Sequence, residues 1–141
     1  MEPARFSFKR YSFTEAHLSL TDIPNECGIS LNFHPTGVFH CNTGIFSLTL
    51  DFTASYEKEQ ENVNFAKIVL NADFEFKDIT SLGEVPDYFY PNSLAIVFPY
   101  IRAFISTLTL QANVRPIVLP TMNLSSLKLE FRNNSTESTN V

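Results

Sequence analysis

An α+β fold, a four-stranded antiparallel sheet with a long helix and a short C-terminal helical segment packed on one face, follows from three observations. Residues 46–54 and 68–76 each alternate apolar and polar side chains, the period of a strand with one dry and one wet face. Residues 92–113, NSLAIVFPYIRAFISTLTLQAN, instead repeat apolar residues at three- and four-residue steps through Leu94, Val97, Phe98, Ile101, Ile105 and Leu108, the spacing of one helix face. Ile96, Tyr100, Ala103 and Phe104 fall on other faces, so this helix needs cover on more than one side. It is predicted to be both core and interface.

The elements follow in order. Residues 5–20 read as a strand with a fault. Phe6 and Phe8 share one parity while Tyr11 and Phe13 share the other, so Lys9 and Arg10 mark a bulge or bend. Pro24 and Asn25 place a turn over 21–28. A second strand sets Ile29, Leu31 and Phe33 against Ser30, Asn32 and His34, until His34-Pro35-Thr36-Gly37 interrupts it. The third sets Phe46, Leu48, Leu50, Phe52 and Ala54 against Ser47, Thr49, Asp51 and Thr53. The fourth sets Ile68, Leu70, Ala72, Phe74 and Phe76 against Lys67, Asn71, Asp73, Glu75 and Lys77. Between these two, EKEQEN at 57–62 is a solvated charged loop that closes a hairpin.

Residues 78–91, with Gly83, Pro86 and Pro91, connect the sheet to the helix, the only element long enough to cover the dry face. Pro99 deletes a helical hydrogen bond, which implies either a kink or a loose first turn before Phe98. Pro116 and Pro120 make the next segment extended, ending in a short helix over Leu124, Leu127 and Phe131. A single domain is expected over residues 1–131, and the polar end 132–141 is expected to be a disordered tail.

Composition narrows the function. A net charge of −5, from 10 Lys and Arg against 15 Asp and Glu, removes the electrostatic basis for general nucleic-acid binding. The long apolar run is too short for a bilayer and carries Arg102, so no membrane insertion is expected. The N-terminus has no run of signal-peptide character, which predicts a cytoplasmic protein with Cys27 and Cys41 as reduced thiols. The 14 Phe and 5 Tyr exceed what a small core obviously needs, so part of them can line a surface for apolar ligand.

Catalytic chemistry finds little support. Cys27, His34, His40 and Cys41 match no paired zinc-ligand spacing, and the four glycines form no phosphate loop. No serine sits in a nucleophile elbow, and Glu57, Glu59 and Glu61 lie in a charged loop unsuited to precise proton transfer. The expectation is a protein with no catalytic residues, no metal and no cofactor.

Three stretches then carry a family likeness. FSFKRYSFTEAHLSL at 6–20 resembles the first strand of the SecB protein-export chaperones, and IFSLTLDFTAS with its charged loop and NFAKIVLNADFEF resembles their central hairpin. PNSLAIVFPYIRAFIS at 91–106, followed by RPIVLPTMNLSSL at 115–127, is similar to their most diagnostic segment. The resemblance implies an ATP-independent holding chaperone, assembled as a dimer of dimers through the long helices, that keeps unfolded clients in apolar grooves. It also implies docking of the SecA motor on acidic residues of the exposed sheet face, where Asp51, Asp73 and Glu75 have the outward parity.

The residues suggest where these surfaces lie. Phe33, Phe39, Phe74 and Phe76 sit toward strand ends, where cover from one helix thins, and Met122, Leu124 and Leu127 form the other apolar piece able to wall a client groove. Tyr100, Ala103, Phe104 and Thr107 are the candidate oligomer contacts, for a homotetramer or at least a dimer. Two other classes also fit: a small-molecule or lipid-binding module with a closed pocket, and an oligomeric interaction protein without a client. Within the chaperone class, the client is either an exported precursor or a dedicated partner such as the antitoxin of a toxin system.

Overall fold

The structure is a computed structural model that describes residues 6–21 and 28–139. The alternating stretches become β1 (Phe6–Leu18), β2 (Ile29–His40), β3 (Ile45–Lys58) and β4 (Glu61–Phe76). The chain then forms α1 (Phe89–Gln111), α2 (Lys128–Asn133) and β5 (Ser135–Ser138). The turn expected at Pro24 and Asn25, with Cys27, lies outside the described residues.

The sheet has five strands in the order β1-β4-β3-β2-β5, which corrects the expected four. The first four pair antiparallel as expected, whereas β5 runs parallel to β2, so the sheet is mixed. Residues 135–138 thus belong to the sheet and not to a disordered tail. Their polar side chains are no obstacle, because an edge strand is held through its backbone. Gly37 N–H donates to Asn134 O at 3.3 Å, and Cys41 N–H donates to Ser138 O at 2.9 Å. Glu137 adds an anchor, accepting the Leu82 N–H at 3.0 Å on one oxygen and facing Cys41 Sγ at 3.6 Å with the other. Desolvation first, and then Glu137, push the Cys41 thiol above its ordinary pKa and keep it protonated.

The dry face is the one the alternation indicates. Phe46, Leu48, Leu50, Phe52 and Ala54 of β3 and Ile68, Leu70, Ala72, Phe74 and Phe76 of β4 are all buried. The fault in β1 is a register shift between Phe8 and Arg10, and a second shift lies between Phe13 and Glu15.

Three local readings change. β2 runs unbroken through residues 34–37, where an interruption was expected. Pro35 is tolerated because its missing N–H faces away from β3, as edge strands allow. Gly37 is required by close packing: a Cβ there would lie 2.4 Å from the Phe46 ring. The charged loop at 57–62 shrinks to a two-residue hairpin turn in which Glu59 and Gln60 adopt positive φ of 52° and 68°. α1 starts at Phe89, before the expected residue 92. Pro91 therefore falls in its first turn, where it costs no hydrogen bond, while Pro99 is accommodated in the interior.

α1 lays Leu94, Val97, Phe98, Ile101 and Ile105 onto the sheet. An extended run over 115–123 then returns beside it, and a 3-10 turn (Leu124–Leu127) leads into α2. Three polar side chains of α1 hold that run. Arg102 Nε donates to Leu119 O at 3.0 Å, Ser106 Oγ donates to Ile117 O at 2.8 Å, and Thr109 Oγ1 accepts the Ile117 N–H at 3.0 Å.

Candidate functional site

The groove residues predicted from sequence divide into two sets. Phe33, Met122, Leu124 and Leu127 come together, with Leu31, around a cleft of about 330 Å³ between β2 and the 3-10 turn. Phe33 and Leu124 form its floor, being almost fully buried, and Met122 stands at its mouth with 37% of its surface exposed. The rim is polar: Asn32, His34, Asn123, Ser126 and Glu130. His34 Nδ1 lies 3.7 Å from Glu130 Oε2. Asn123 caps the 3-10 turn by accepting the Ser125 N–H at 3.0 Å, which fixes the loop behind Met122.

Phe39, Phe74 and Phe76 are corrected to core residues, at 0%, 0% and 4% exposure. The cover does not thin at these strand ends, because β1 and the first turn of α1 both arrive there. Phe74 is enclosed by Phe6, Phe8 and Phe89, with centroids 5.8, 5.4 and 5.3 Å away. Phe76 meets Phe6, Phe39 and Phe89. A client could reach these rings only by displacing the core.

The candidate oligomer face is the outer side of α1. Ala103 and Thr107 are exposed, as are Tyr100 and, further along, Leu110 at 62%. Tyr100 and Phe104 are not bare, however. Tyr11 stacks on Tyr100 with centroids 4.1 Å apart, and Phe13 packs on Phe104 at 4.4 Å. The shifted parity of β1 is what turns Tyr11 and Phe13 toward the helix, so strand and helix present one continuous aromatic surface.

The acidic residues occupy the opposite sheet face without forming a patch. Asp73 accepts from Arg10 Nε at 2.7 Å and from Ser47 Oγ at 2.9 Å, and Glu75 lies 3.6 Å from Lys9 Nζ. Asp51 is four residues along β3 from Ser47, the partner of Asp73, which is roughly 13 Å away along the strand. Neighbouring cations thus compensate two of the three carboxylates, and the third stands apart. The same face brings His40, Ser47 and Asp73 together, with His40 Nε2 at 3.2 Å from Ser47 Oγ. Ser47 spends its proton on Asp73, so His40 is not placed to remove it.

Sequence reasoning missed the polar clamps Arg102, Ser106 and Thr109, which position the cleft wall. Their signal was present, since Ser and Thr at interior positions of an apolar helix usually bond a backbone carbonyl or a neighbour.

Comparison with known proteins adds the fold relationship. No family model matches the chain. An uncharacterized protein of Methanocaldococcus jannaschii is 37% identical over 59 residues, which is 42% of this chain and 38% of that relative's length. A solved SecB-like chaperone of Mycobacterium tuberculosis, in complex with a ChAD peptide from an antitoxin, superposes with a TM-score of 0.66 at 17% identity, covering 84% of this chain and 91% of that one. A Streptococcus agalactiae protein of unknown function gives a TM-score of 0.49 at 15% identity, covering 82% and 97%. The fold of this chain is SecB-like.

Proposed function

We propose that this protein is an ATP-independent holding chaperone for non-native polypeptide, with the antitoxin of a toxin system as its preferred class of client. The observation that carries the reading is the apolar cleft of Leu31, Phe33, Met122, Leu124 and Leu127, open to solvent and rimmed by polar groups. A closed pocket would suit a lipid or small molecule, whereas an open trough with a flexible thioether at its mouth suits side chains of varied shape. The antitoxin peptide bound by the SecB-like fold neighbour supports the client class. Docking to a SecA motor is the less favoured extension, because Asp73 and Glu75 are already paired with Arg10 and Lys9.

The cleft takes one or two large side chains, for a gross gain of roughly 1.5–3 kcal/mol each. Such contacts are weak singly, so useful holding needs several copies of the site on one assembly. The outer face of α1 provides the contact for that assembly, a dimer or tetramer. Replacing Ala103 with Glu is expected to shift the mass measured by light scattering toward smaller species, by placing an unpaired charge in the interface. A wild-type protein that is monomeric at micromolar concentration overturns the assembly.

The function is tested by light scattering of an unfolded, aggregating test protein. Wild type suppresses the scattering without ATP. Met122→Ser weakens the suppression several-fold while the melting temperature moves little, since Met122 is partly exposed. No suppression by wild type sinks the proposal, and unchanged suppression by the variant removes the cleft from it.

A further inference from the structure

A second cavity, of about 500 Å³, takes no part in the holding function. It is bounded by a 3-10 turn (Leu82–Glu84), the entry to α1, α2 and β5. Side-chain bonds fix these walls. Glu84 accepts the hydroxyls of Thr80 and Ser81 at 3.1 and 3.0 Å, and the Leu82 N–H donates to Glu137 Oε1 at 3.0 Å, which ties the turn to β5. Arg132 of α2 donates to Asp87, just ahead of α1, at 3.0 Å. The space is therefore preformed, as small-molecule sites usually are.

Tyr90 sets its chemistry. The ring is enclosed by Phe46, Phe89 and Phe131, with centroids 6.1, 5.6 and 5.1 Å away, and only 1% of the residue is exposed. Among the described residues its hydroxyl makes no hydrogen bond, and no fully buried side-chain oxygen or nitrogen lacks a partner, so the hydroxyl is the part that opens on the cavity. A polar atom carried on so deeply buried a ring normally has a partner. Burial first pushes the hydroxyl above its ordinary pKa, Arg132 draws it down and Asp87 adds to the rise, so it stays neutral, able to donate and to accept.

The charges around it do not select an ion. Asp87 and Glu137 repel an anion drawn to Arg132, while Arg132, with Lys128 at 3.8 Å from Asp87, repels a cation drawn to the carboxylates. What these groups retain is directional capacity. Arg132 spends one nitrogen on Asp87 and keeps further N–H donors, and each Glu137 oxygen meets a single donor and keeps a lone pair. Leu82 and Val85 add an apolar wall.

We infer that this cavity binds a small neutral molecule with a planar amide edge, a carboxamide or a lactam ring. Its carbonyl accepts from Tyr90 and Arg132, its N–H donates to Asp87 or Glu137, and its apolar body lies on Leu82 and Val85. An amide meets these walls because its donor and acceptor are adjacent, rigid and uncharged. A diol offers both functions too, but it loses rotational freedom on binding.

The test is an NMR titration of the full chain with benzamide, benzoate and benzamidinium, probes of one shape that differ in charge. Benzamide is expected to bind with a dissociation constant on the order of 1 mM, as a good fragment does, and to shift the amide signals of Gly83 and Arg132. The two ions should bind at least about threefold more weakly, and glucose, the diol probe, should not compete. Tyr90→Phe keeps the ring cluster and should weaken benzamide by about fivefold with little change in melting temperature, because the hydroxyl bonds nothing in the protein. No shift with benzamide, or equal or tighter binding of either ion or of glucose, overturns the proposal. A folded Tyr90→Phe variant that binds benzamide like wild type does so too, and the comparison of probes on wild type stands even if that variant unfolds. Shifts confined to Phe33, Met122 and Leu124 would place benzamide in the client cleft and also overturn it.

Discussion

Replacing Phe89 with Ala is expected to destabilise the fold by about 3–5 kcal/mol, the range for deleting a buried aromatic ring, and to lower the melting temperature by roughly 10–15 °C. Phe89 is fully buried in the first turn of α1 and touches rings from every layer around it. Its centroid lies 5.0 Å from Phe6 of β1, 4.6 Å from Phe46 of β3, 5.3 Å from Phe74 and 5.0 Å from Phe76 of β4, and 6.3 Å from Phe131 of α2. The Phe6 and Phe74 contacts are edge-to-face, the arrangement that adds attraction beyond burial. Urea unfolding measures the cost. A loss below about 1 kcal/mol would mean that the neighbouring rings collapse into the space, so that Phe89 does not organise the cluster. Against a total stability of about 5–15 kcal/mol, the expected loss removes a large share.

The same cluster explains which parts of the molecule were legible from sequence. The alternation in β3 and β4 could be read because each strand has one dry and one wet face, and the register confirms residue for residue that Phe46, Leu48, Leu50 and Phe52 oppose Phe74, Ala72, Leu70 and Ile68. The first shift in β1 was visible as a switch of aromatic parity. The second, near Thr14, was not, because Glu15 and His17 interrupt the apolar pattern. Pro91 reads in the sequence as a breaker, whereas a first-turn proline forfeits no bond. A helix begun at 92 puts Phe89 and Tyr90 in a connection and leaves Phe74 and Phe76 without cover, whereas the earlier start brings Phe89 onto both. β5 was invisible for another reason: its attachment lies in backbone pairing and in Glu137, which no apolar pattern reports. Met122, Leu124 and Leu127 were legible as an apolar piece with nowhere else to pack.

What holds that piece in place supplies the second large effect. Replacing Thr109 with Val is expected to cost about 1–3 kcal/mol, because the shape is kept while the buried Ile117 N–H loses its acceptor. The lost donation from the threonine hydroxyl to Ile105 O and Ser106 O matters less, since carbonyls inside a helix are already engaged by the ladder. Arg102 and Ser106 would still grip Leu119 O and Ile117 O, so the extended run stays near the helix but is free to shift. That run itself carries Met122, and Leu124 and Leu127 follow it directly. Suppression of aggregation should therefore weaken although Thr109 touches no client. Amide exchange at Ile117 gives an independent readout, and it should accelerate in the variant. Unchanged exchange would show that Thr109 is not the clamp. Faster exchange with undiminished holding would show that the cleft tolerates a mobile wall, and the client would then be held mainly on the β2 side.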